Sequence, residues 1–104
     1  MEDIDLKVRS IRDYLSREFP ENKVEAFQDG GQLGPFVFRL DHGRTGSVLH
    51  RAVAPSEVLR DLTVTQILGC LSLWDLAGRL RDAGRQPVVV TREGLHVEGL
   101  PASR

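Results

Sequence analysis

The sequence predicts an α+β two-layer sandwich, a mostly antiparallel sheet of about five strands with helices on one face. Three observations carry this. An amphipathic helical stripe opens the chain. Two alternating apolar runs then flank the turn His42-Gly43-Arg44-Thr45-Gly46. After a further helical stretch, the run Val88-Val89-Val90 is followed by the turn Glu93-Gly94 and a short alternating segment.

Residues 3–19 carry Ile4, Val8, Ile11, Leu15 and Phe19 at the spacing of one helix face. Asp3 is the expected N-cap, and Pro20 ends the helix by excluding the α region for the residue before it. Lys7, Arg9, Arg12, Asp13 and Arg17 read as its solvated side. Residues 23–28 form a short strand ending at Asp29-Gly30-Gly31. The glycine-rich loop after it has no lysine at P-loop spacing and leads into a strand, which argues against a phosphate cradle.

Residues 35–53 are the central hairpin. With Arg44 and Thr45 at the tip, Arg39 is expected to face His50 and Val37 to face Ala52. Phe36, Phe38 and Leu40 then share the core side with Leu49, Arg51 and Val53, Arg51 being the one misfit. Val37, Arg39, Asp41, Val48, His50 and Ala52 take the other side. A slip of one residue would reverse this partnership.

Pro55-Ser56-Glu57 opens a short helix with Val58, Leu59 and Leu62 on its apolar face. Thr63-Val64-Thr65-Gln66 has the form of a capping box, and one long helix is expected over residues 64–83. Its apolar band, including Ile67, Leu68, Leu71, Trp74, Leu76 and Leu80, is too broad for one buried face. Gly84 is the expected C-cap. Residues 88–91 form a central strand, apolar on both faces, and residues 95–97 return beside it. The order is helix, three strands, a helix in two pieces, two strands. It makes residues 1–104 one domain, with 99–104 a frayed tail.

Fourteen Lys plus Arg against fifteen Asp plus Glu leave a formal charge of −1, which argues against a nucleic-acid surface. No apolar run approaches the roughly 18 residues of a spanning helix. The first residues, charged and acidic, lack the apolar centre of an export signal, so a cytoplasmic protein is expected. Cys70 stands alone. His42, His50, His96 and Cys70 have no zinc-type spacing, so neither metal nor cofactor is expected.

The element order resembles that of small acidic secretion chaperones, which dimerise through their second helix, although their C-terminal helix is missing here. Restriction-type nucleases share much of the order, but Ser47-Val48-Leu49-His50-Arg51 contains no E-x-K pair opposite Asp41. Double-stranded-RNA-binding domains begin their last helix with a lysine cluster, where this chain has Thr63-Val64-Thr65-Gln66. These are likenesses of order alone.

The first functional expectation is a non-enzymatic protein-interaction module of the adaptor or chaperone kind. A second copy or a partner would meet the 64–83 helix, through Leu68, Leu71, Trp74, Leu76 and Leu80, or the sheet. The second is a small ligand-binding domain or enzyme whose catalytic candidates are Asp41, His50 and Arg39. A nucleic-acid binder or inactive nuclease-like domain ranks third.

Overall fold

The computed structural model describes residues 3–31, 34–45 and 47–97. The tail at 99–104 and the Gly46 side of the hairpin tip lie outside them. The described elements are α1 (Ile4–Glu18), β1 (Asn22–Gln28), β2 (Phe36–His42), β3 (Val48–Ala54), α2 (Ser56–Asp61), α3 (Val64–Leu73), α4 (Leu76–Ala83), β4 (Val88–Val90) and β5 (Leu95–Val97). The five strands form one sheet in the order β1-β2-β3-β4-β5. All neighbours are antiparallel except β3 and β4, which run parallel. A parallel pair needs a crossover, and α2, α3 and α4 supply it. The helices pack on the sheet, as expected.

The core is centred on Leu15 of α1, Phe38 and Leu40 of β2, Leu59 of α2, Leu71 of α3, Leu76 and Leu80 of α4, and Val88 of β4. α1 begins where Asp3 accepts a hydrogen bond from Asp5 N at 3.2 Å. Its buried side is wider than the predicted stripe, because Lys7 and Tyr14 join Ile11 and Leu15 there. Lys7, read from the sequence as solvated, is 4% exposed and donates through Nζ to Leu59 O at 2.6 Å. Its long stem crosses to α2 and its ammonium satisfies a carbonyl in the last turn of that helix.

The 64–83 helix is the first correction. The capping box at Thr63 and Gln66 forms as expected, but the helix stops at Leu73 and restarts at Leu76. Between them Asp75 adopts the left-handed conformation (φ 52, ψ 61), and its carboxylate accepts from Gly78 N at 3.2 Å. Aspartate tolerates this conformation better than most residues and is a strong N-cap. Gly78 is needed opposite it, since a Cβ there would collide with the Asp75 carboxylate.

The break turns one broad apolar band into two narrower faces. α3 buries Ile67 and Leu71 and packs on α1, while α4 buries Leu76, Ala77 and Leu80 and packs on β3 and β4. The apolar width read from the sequence as surplus is therefore largely taken up within the chain.

Tyr14 closes the break. In an uninterrupted helix Leu71 O would accept from Asp75 N, and Ala77 N would donate to Leu73 O. Instead the Tyr14 hydroxyl donates to Leu71 O and accepts from Ala77 N, both at 3.4 Å. Burial raises the Tyr14 pKa above its ordinary value, against the opposing hydrogen bond from Ala77. A raised phenol pKa means that the folded state keeps its proton where the unfolded chain has released it. The stabilising contribution is complete below the unfolded value near 10 and falls as pH rises above it. Tyr14→Phe is expected to lower stability by about 1 kcal/mol at neutral pH. It should also flatten the alkaline limb of the stability profile, as read by urea unfolding across that range.

The hairpin register is the second correction. Asp41 does pair with Val48, as a tip at Arg44 and Thr45 requires, but Leu40 pairs with His50. Leu49 is thus an extra residue, a β-bulge, and every β3 residue beyond it is reversed relative to expectation. Phe38 faces Ala52, Phe36 faces Ala54, and Arg39 faces Arg51. Ala52 and Ala54 are buried beneath the helices, while Arg51 is exposed.

Candidate functional site

With the register corrected, the helix-free face of the sheet can be read row by row. Phe27 pairs with Val37, Val37 with Val53, Val53 with Val89, and Val89 with His96. Four apolar side chains therefore stand in line across β1 to β4. With strands about 4.8 Å apart, the line is about 14 Å long. Phe27 is 44% exposed, and Val37, Val53 and Val89 are partly exposed.

The adjacent row is charged: Glu25 pairs with Arg39, and Arg39 with Arg51. Arg39 Nη2 donates to Glu25 Oε1 at 2.9 Å, and Arg39 Nε lies 3.2 Å from Asp41 Oδ1. The second contact is an ion pair whose N–H direction is misaligned for a hydrogen bond. Hydrogen bonding from Arg39, with the Lys23 charge second, holds the Glu25 carboxyl below its usual range. Arg39 is pushed up by the Glu25 hydrogen bond and the Asp41 charge. Neither Glu25 nor Arg39 is thereby tuned toward the neutral pKa that general acid–base chemistry uses. Arg51 makes no ion pair among the described residues. A shallow depression of about 310 Å³ joins the two rows, lined by Phe27, Asp29, Val37, Arg39, Arg51, Val53 and Pro87.

The predicted trio of Arg39, Asp41 and His50 is split. Arg39 and Asp41 share the helix-free face. His50 lies on the helix side, its Nδ1 3.0 Å from Gly84 O and its ring 5.3 Å from the Phe19 ring. The carbonyl can only accept, so Nδ1 carries the hydrogen. His42 serves the turn, its Nδ1 accepting from Arg44 N at 3.2 Å and Thr45 N at 3.4 Å. Among the described residues, no group of three or more His, Cys, Asp or Glu is placed to hold a metal ion.

Of the predicted interface residues, Leu71, Leu76 and Leu80 are fully buried within the chain, and Leu68 and Trp74 pack partly against its core. Leu73, the last residue of α3, is 80% exposed. Among the described residues no helix is long and apolar enough to cross a membrane.

The apolar row was missed because it exists only across strands. Each strand contributes one member, and pairing decides which residues line up. Arg51 as a lone misfit on the assumed core face was the available signal that the register was wrong. No family model, curated protein or solved structure matches the chain. What fold and face together define is a small α+β domain with one sheet surface that no described helix covers.

Proposed function

We propose that this chain is a non-enzymatic docking module that binds an apolar, acidic segment of another protein on the open face of its sheet. The observation that carries the reading is the row Phe27, Val37, Val53 and Val89, aligned on the face that none of the described helices covers. Charge argues for a different chain over a second copy. Two-fold packing of this face on itself, with the axis along the strands and centred on the apolar row between β2 and β3, sets Arg39 over the copy's Arg51. With the axis across the strands, Glu25 comes over the copy's Asp29. Both arrangements oppose like charges in a drying interface. A segment with a carboxylate beside its apolar residues meets Arg51 instead, which, unlike Arg39 beside it, makes no ion pair among the described residues.

A random peptide library selected on the immobilised chain tests this. Peptides combining apolar and acidic residues are expected to enrich. They should bind the Val37→Thr/Val53→Thr double variant at least about tenfold more weakly, a loss of about 1.4 kcal/mol. Threonine keeps the shape and strand preference of valine, so the fold is retained. No enrichment, or enriched peptides indifferent to the double variant, would overturn the reading.

A further inference from the structure

Arg51 also lines a second depression of about 320 Å³, together with Ser47, Val48 and Arg85. Among the described residues its lining includes two arginines and a serine, and no acidic side chain. Neither arginine makes an ion pair among the described residues. The Ser47 and Thr45 hydroxyls are hydrogen-bonded to each other at 3.1 Å, and Ser47 N donates to the Thr45 oxygen at 3.2 Å. The Ser47 hydroxyl keeps the capacity for a further hydrogen bond in the depression that it lines. The position of Arg85 is braced: α4 ends at Gly84, whose φ of 63 turns the chain, and the Gly84 carbonyl is gripped by His50. His50 and Arg51 are neighbours on β3. One thus anchors the helix end on the inner side of the sheet while the other lines the notch together with Arg85.

We infer that this notch binds the phosphoryl group of a phosphorylated side chain on the docked segment. That step rests on the docking reading; the notch as an anion site does not. Two like charges lining one depression repel, and an anion held between them relieves that repulsion. A phosphoryl group at neutral pH carries −1.5 to −2 charges and three acceptor oxygens, which matches two guanidinium groups and one hydroxyl. A carboxylate is already satisfied by a single arginine fork.

The test is a titration of the chain with phosphoserine, inorganic phosphate and acetate at constant ionic strength, following the arginine Nε–H and Ser47 amide NMR signals. Phosphoserine is expected to give saturable shifts at Arg51, Arg85 and Ser47. Acetate should bind about tenfold more weakly, and Arg51→Gln or Arg85→Gln should weaken phosphoserine by a similar factor. Binding should also decline as pH falls through the second phosphate ionisation near 6. Acetate equal to phosphoserine, response to inorganic phosphate alone, or titrations unchanged in both arginine variants would each overturn the inference. The Val37→Thr/Val53→Thr variant separates the two proposals, since it should lose selected peptides and keep phosphoserine.

Discussion

Replacing Ala52 with aspartate is expected to cost about 3–5 kcal/mol of stability, whereas Arg51→Asp should change it by less than about 1 kcal/mol. Ala52 is 1% exposed, faces Phe38 across the ladder and lies under the helices. A carboxylate there has no cation in reach among its strand partners Phe38 and Val88. An uncompensated buried charge costs about 3–5 kcal/mol, a large share of the 5–15 kcal/mol that holds a domain together. Arg51, one residue away, points into solvent on the other face and opposite Arg39, where an acidic replacement is a favourable cross-strand partner. An uninterrupted hairpin predicts the reverse ranking, with position 51 buried and position 52 exposed. Urea unfolding of the two variants, followed by far-ultraviolet circular dichroism, therefore tests the Leu49 bulge directly. An Ala52→Asp protein with unchanged stability beside an Arg51→Asp protein destabilised by several kcal/mol would sink it.

The same bulge marks how far the sequence could be read. Strand and helix positions are local properties: alternation, the stripe of Ile11 and Leu15, the Thr63 capping box and the Gly84 cap all sit within a few residues of what they specify. The turn was legible too, since Asp41 and Val48 pair as a tip at Arg44 and Thr45 requires. A single extra residue four positions beyond the tip leaves no compositional mark, yet it moves His50 and Ala52 to the helix side and Arg51 to the open side. The candidate site inherited that error. Arg39 and Asp41 stayed together because they lie on one strand, and His50 was lost because it lies beyond the bulge on the other. The break in the 64–83 helix was more nearly visible. Asp75-Leu76-Ala77-Gly78 carries an N-cap residue with a glycine three positions on, which reads as a restart within an apolar band too broad for one helix. Lys7 was legible to neither argument, because its burial depends on a carbonyl 52 residues away.

Phe19 is where the corrected parts of the fold meet, and Phe19→Ala is expected to cost about 3–5 kcal/mol. The ring is 6% exposed at the C-cap of α1. The Arg81 guanidinium of α4 sits 4.5 Å from its centroid, and the His50 ring of β3 packs against it at 5.3 Å. Both neighbours also hold backbone at helix ends. Arg81 donates to Glu18 O at 2.8 Å, in the last turn of α1, and His50 holds Gly84 O at the cap of α4. Three elements are therefore joined through one aromatic ring, and truncating it opens a cavity while freeing the two polar groups that flank it. Phe19→Leu fills most of the volume without a π face and should cost less than about 1.5 kcal/mol. The contrast separates packing from the cation contact. In a double-mutant cycle with Arg81→Gln, the coupling between Phe19→Leu and the arginine change should be about 0.5–1 kcal/mol, the range for a partly exposed cation over a ring. Zero coupling would mean that Arg81 acts through the Glu18 carbonyl alone. Equal losses for Phe19→Ala and Phe19→Leu would mean that the ring's face, and not its volume, joins α1, α4 and β3.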